Sequence, residues 1–227
     1  LNINQAPNIM MMTLGLLAAL QLQASAAPGD SSVGTFAGHL VTLGSRDIPF
    51  RGKVQTRTDT YVISRVRRQG DRLVLTERAC TVAFRKIAGV KVWMDATALP
   101  ASTFTLHEAT DGWVGTSHVQ WGRQDVDDDG HPGMTVHVDG ICSGELHVAN
   151  DSVTMATARV QGEGGSVDRI TGTTRVHVRQ RVLSTEGKCL QLMADDTAEV
   201  VQGPFAYTRV ADDSTCESLT RSGWPVL

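Results

Sequence analysis

Aromatic residues are scarce in this 227-residue sequence, at 5%, and net charge is almost absent, at −3 from 21 Lys+Arg and 24 Asp+Glu. That balance excludes a polyelectrolyte tail, and 41% apolar residues exclude wholesale disorder. No segment holds a convincing helical period beyond short turns at Cys189–Ala194 and Ser214–Leu219. There is no internal repeat, which argues against a propeller or a solenoid. No cofactor fingerprint occurs, and Gly162-Glu163-Gly164-Gly165 lacks the Lys and following helix of a phosphate loop.

Catalytic motifs are missing as well. The chain has no G-x-S-x-G elbow and no S-x-x-K pair. Its seven histidines, His39, His107, His118, His131, His137, His147 and His177, form no H-x-H or H-E-x-x-H pair. His137 and Cys142, across the Asp139-Gly140 turn, are the nearest approach to a Cys–His dyad, but a disulfide is the expected fate of Cys142 in an exported chain. The carboxylate pair of a glycosidase is set by the fold, so sequence spacing cannot pick it out. The sequence therefore assigns no catalytic residue. The tryptophans Trp93, Trp113, Trp121 and Trp224 read as core, with Trp113 and Trp121 on one face of one strand.

What is present begins with an address. Residues 1–26 carry no charge, and Met10–Leu22 is an apolar run followed by Ala24-Ser25-Ala26. This is the core and cleavage site expected of a secretory signal peptide, and the run is too short for a membrane span. Residues 27–227 are then expected to be a single all-β domain, secreted or periplasmic. The four cysteines, Cys80, Cys142, Cys189 and Cys216, contain no CxxC pair and read as two disulfides. Three pairings are open; Cys80–Cys142 and Cys189–Cys216 are favoured because the last two cysteines flank a short terminal unit.

From Gly34 onward, short alternating runs are separated by the turn signals Gln69-Gly70-Asp71, Asp111-Gly112, Asp139-Gly140 and Asn150-Asp151. Many hairpins and almost no helix predict an antiparallel β-barrel or β-sandwich, with a lipocalin-like barrel as one arrangement. If Gln69-Gly70 forms its turn, one hairpin sets Val66 against Leu73, Ser64 against Leu75 and Val62 against Glu77, a mostly apolar inner face. Its other face carries Arg65, Arg67, Arg72 and Arg78, with Arg67 opposite Arg72, a repulsive pair unless something neutralises it. Residues 51–91 hold eleven Lys/Arg against three Asp/Glu, whereas residues 92–170 hold three against twelve. The four arginines are thus candidates for binding an anionic cell-envelope component; nucleic acid is not expected as a partner.

One motif carries a mechanism. Asp125, Asp127 and Asp129 alternate in a D-x-D-x-D-G run closed by Gly130, so their oxygens converge as a hard cation requires. The loop resembles the calcium loops of EF-hands, thrombospondin type-3 repeats and integrin-like propellers. That resemblance implies Ca²⁺ on Asp125, Asp127 and Asp129, with His131 giving a backbone carbonyl. The match ends there: the ninth position is Gly133 and the twelfth is Val136, where an EF-hand has Glu. The reading is a calcium-stabilised hairpin loop, completed by water, Asp128 or a distant carboxylate such as Asp139 or Glu145. The expected function is binding, of a small apolar ligand or an envelope component, rather than catalysis. A secreted glycosidic or ester hydrolase and a structural surface protein are the alternatives.

Overall fold

β-branched residues alternating with polar ones drive this chain into strands that are longer than their turn signals indicate. The computed structural model describes residues 30–48, 52–86, 89–140, 142–192, 194–225 and 227. The leader read over residues 1–26 lies outside them. In chain order the elements are β1 (Asp30–Ile48), β2 (Gly52–Gln69), β3 (Arg72–Phe84), β4 (Lys91–Trp93), β5 (Ser102–Ala109) and β6 (Gly112–Trp121). They continue with β7 (Met134–Asp139), β8 (Gly144–Gln161), β9 (Arg169–Glu186), α1 (Lys188–Gln191), β10 (Thr197–Val210) and α2 (Cys216–Ser222). The protein is all-β.

Antiparallel pairing runs β8-β6-β5-β3-β2-β1-β10-β9 and returns to β8, closing a ring of eight strands. The long β8 pairs with two different strands along one of its edges. Its second half pairs with β6, from Trp121↔Asn150 to Trp113↔Ala158. Its first half pairs with β7, which in turn carries β4. Inside one end of the ring, Phe36, Val66, Leu73, Leu106, Trp113, Val167 and Ile170 pack into a closed core. A second cluster of Leu99, Met134 and Val148, with Met94, Trp121 and Val126 against it, lies under the β7 extension.

Outside the ring, the C-terminal segment covers β1 and β2. Thr215 caps α2: its side chain accepts from the Ser218 N–H, and the Ser218 hydroxyl accepts from the Thr215 N–H. Asp212 accepts from the Thr35 N–H at 3.0 Å, Trp224 lies against Tyr61, and the Leu227 N–H donates to His39 Nδ1. This explains why His39 is buried on an outward-facing position.

Three sequence expectations need correction. The disulfides are Cys80–Cys216 and Cys142–Cys189, with Cα–Cα distances of 5.4 and 5.3 Å. The short terminal unit was the wrong guide. The β8–β9 register pairs Glu145 with Glu186, and continuing it outward brings residue 142 to residue 189. Meanwhile α2 returns across β1 and β2 to reach β3. The β2–β3 turn is at Gly70-Asp71, so Val66 faces Leu75, Ser64 faces Glu77 and Arg67 faces Val74. A two-residue change in pairing keeps each side chain on its face, so the inner set stands while the expected Arg67–Arg72 repulsion disappears. Asn150-Asp151 is not a turn but the middle of β8, where Asn150 faces inward and Asp151 meets His118 at 2.7 Å outside. Pro204 sits inside β10. The β1–β10 pairs lapse between Leu40↔Phe205 and Leu43↔Gln202, where its missing N–H would be needed.

Candidate binding cavity and acidic loop

The inward face of the ring is not filled along its whole length. Beyond the closed core lies a cavity of about 350 Å³, reached by side chains from all eight ring strands. Its wall is apolar over Leu40, Val62, Leu75, Val82, Phe104 and Val176, and hydroxyl-bearing at Thr60, Ser117, Ser152 and Thr154. Leu99, Pro100 and Trp121 stand where the β7 extension meets the ring. Trp113 and Trp121 do share the inner face, one in the closed core and the other at the cavity. A further hollow of about 450 Å³ has a more polar rim, with Asp151, Asp196, Arg179 and Arg181. It lacks the enclosure by every strand that distinguishes the lumen.

One carboxyl group enters that lumen. Strand alternation carries Leu73, Leu75 and then Glu77 inward, and the Tyr207 hydroxyl donates to Glu77 Oε1 at 2.6 Å. Glu77 is surrounded by protein on every side yet keeps some free surface, because that surface faces the cavity. Removal from bulk water pushes its carboxyl up to about 7, against the opposing pull of the Tyr207 hydrogen bond. Burial and the neighbouring carboxylate raise Tyr207 well above the ordinary phenol range. The facing Ser64 hydroxyl is fully buried and has no partner among the described residues. Gly38 makes this arrangement fit, since a Cβ there would fall 2.5 Å from the Tyr207 ring.

The four arginines expected to bind ligand stand elsewhere. Arg65, Arg67, Arg72 and Arg78 are exposed on the outer wall of β2 and β3 and line neither hollow. Arg72 lies 3.8 Å from Asp71. Among the described residues Arg65, Arg67 and Arg78 make no ion pair.

The acidic loop joins β6 to β7 and folds over β7 and β8. Two backbone bonds close its neck, Val126 N–H to Gly133 O and Gly133 N–H to Gln124 O. Gly133 lies so close to β8 that a Cβ would meet the Val148 carbonyl at 2.4 Å. Asp125, Asp127 and Asp129 come together, each offering an oxygen within 4.8 Å of the others. Such a cluster can hold a metal ion. Asp125 accepts from the Gly130 N–H, Asp129 from the His131 N–H, and Asp127 Oδ2 from the Thr135 N–H. Asp127 Oδ1 is buried with no partner among the described residues. Desolvation first, and then its two acidic neighbours, raise the Asp127 carboxyl, whereas the Thr135 hydroxyl holds Asp129 below the usual carboxylate range.

Neither distant carboxylate is aimed at the loop. Asp139 accepts from the Trp93 indole at 3.3 Å, and Glu145 pairs with His137 at 3.1 Å. The Cys142 sulfur is bonded to Cys189, which removes the His137–Cys142 dyad. The His131 ring, expected to stand aside, stacks on His147 with ring centroids 4.3 Å apart. Sequence reasoning missed Glu77, Tyr207 and His147 as functional candidates. Only Glu77 left a signal, as the one acid on an otherwise apolar inward face. No protein-family model and no curated protein matches this chain.

Proposed function

We propose that this chain is an exported binding protein that holds a small, mostly apolar molecule inside its ring of strands. The observation that carries this reading is the cavity of about 350 Å³ lined from all eight ring strands. Its volume lies at the small end of the range for ligand pockets, and its balance of apolar wall and few polar groups is typical of them. Glu77 and Tyr207 give the ligand one polar anchor; in its protonated form the carboxyl can both donate and accept. An amphiphile with a short apolar body and one hydrogen-bonding head matches this lining. Export is supported by the leader-like residues 1–26 and by two disulfides. No helix among the described residues is long and apolar enough to cross a membrane.

Calcium in the Asp125–Asp127–Asp129 loop is the second part of the proposal. The dication relieves the mutual repulsion of the carboxylates and engages the orphaned Asp127 Oδ1. The loop packs near Trp121 through Val126, so a bound ion steadies the ring where the cavity lies.

The test is a fluorescence titration with 1-anilinonaphthalene-8-sulfonate, followed by displacement with medium-chain alcohols and fatty acids, on the parent and on Thr154→Phe. Saturable binding that the lumen-filling variant loses while retaining its melting temperature supports the reading. Equal binding by both proteins overturns it. A second reading, docking to an anionic envelope surface, is favoured by the outward Arg65, Arg67 and Arg78, which make no ion pair among the described residues. It predicts binding to anionic vesicles that falls with salt and disappears in Arg65→Glu plus Arg67→Glu.

A further inference from the structure

Three residues far apart in sequence meet on the face of β7 and β8 that the acidic loop covers. His131 comes from the loop, His147 from β8, and Glu186 from the end of β9. One nitrogen from each histidine and one Glu186 oxygen all lie within 4.8 Å of one another. His131 Nε2 is 4.0 Å from Glu186 Oε1. The two side chains on the rim are open to solvent, at 42% and 59% exposure, whereas His147 is 1% exposed.

The hydrogen bonds of His147 define what its free nitrogen is. Its Nδ1 lies 2.9 Å from the Thr135 hydroxyl oxygen. A bond donated by His147 Nδ1–H to that oxygen leaves a bare lone pair on Nε2. That Nε2 is buried, and no donor among the described residues reaches it. A buried polar atom left unmet is costly, so an unexplained one calls for a partner. A hydrogen-bonding group on the far ring nitrogen is also the outer-shell arrangement that fixes the ring of a metal-binding histidine.

We propose that His131, His147 and Glu186 form a binding site for a zinc-class dication, separate from the acidic calcium loop. Two imidazoles and one carboxylate suit Zn²⁺, with a fourth position left for water or an exogenous donor. The same donors are wrong for Ca²⁺, which takes oxygens only. Stacked rings cannot both direct a lone pair at one ion, so binding requires the exposed His131 ring to turn out of the stack. The carboxylates of the adjacent loop add a negative field that favours the cation without supplying its ligands. This site stands on its own and does not depend on the ligand reading of the lumen.

The test uses tag-free protein, stripped with chelator and then held in excess Ca²⁺ while Zn²⁺ is titrated in by calorimetry. The ligand-field spectrum of bound Co²⁺ serves as a second readout. The proposal expects one Zn²⁺ per chain that Ca²⁺ does not displace. It also expects at least a tenfold loss of affinity in His131→Ala and in Glu186→Gln, both rim changes that leave the core intact. Asp127→Asn should keep its zinc, and the ¹⁵N resonance of His147 Nε2 should move when the metal is added. Absence of zinc uptake overturns the proposal. So does uptake untouched by the two rim variants, or uptake lost in Asp127→Asn while the rim variants retain it.

Discussion

Glu77 is held neutral by its surroundings rather than paired with a base, and that has a consequence for stability. Its folded value of about 7 lies above the ordinary 4.5, so between those two pH values the folded state keeps a proton that the unfolded chain has released. Stability from this group is therefore fully present below pH 4.5 and is lost as pH rises towards 7, by about 3 kcal/mol in all. Glu77→Gln keeps an acceptor for Tyr207 and removes the ionisation. Its denaturation midpoint should match the parent at pH 4 and exceed it at pH 8; a constant difference across that range would refute the buried, neutral carboxyl. Asp127 is raised in the same direction by desolvation and by the acids beside it. In chelator, Asp127→Asn should melt at or above the parent temperature, because the amide keeps an acceptor for the Thr135 N–H. In Ca²⁺ the order should reverse: the parent gains ~2.7 kcal/mol at a hundredfold excess over the dissociation constant, and the variant gains nothing. Identical parent melts in chelator and calcium would make the loop a surface feature alone.

Elements show where sequence was enough and where it was not. Strand alternation alone placed Val62, Ser64, Val66, Leu73 and Leu75 on one face, because a two-residue slip at the Gly70-Asp71 turn does not change the side a residue points to. Alternation could not tell that Asn150-Asp151 continues β8. Two polar residues with turn propensity survive in mid-strand because one faces the lumen and the other faces His118. The acidic loop was legible from D-x-D-x-D-G since its residues are neighbours in sequence. The His131–His147–Glu186 meeting was not, because it depends on the β8–β9 register and on the loop folding back over β7. Disulfide pairing failed for the same reason. Cys80–Cys216 fastens α2 to β3, closing 136 residues of chain. Replacing both cysteines by serine should lower stability by about 2–5 kcal/mol. Limited proteolysis should then cut residues 211–225 before any ring strand; cutting in the ring first would show that α2 is held by packing alone.

At the scale of the molecule, the β8–β9 pairing closes the ring on itself, and the sheet keeps an end strand in β4 of the β7 extension. Closure also divides the interior into a packed end and a hollow one, and the function proposed here rests on the hollow. Methyl groups report directly on that division. Val62, Leu75, Val82, Val119 and Val176 line the cavity, whereas Val114, Val153 and Val200 are exposed apolar residues that do not line it. The most direct measurement is a methyl ¹H–¹³C NMR titration of the calcium-loaded protein with a medium-chain fatty acid. Saturable shifts confined to the lumen methyls are the predicted result. Shifts confined to the exposed set, or none at saturation, would contradict a ligand-binding ring.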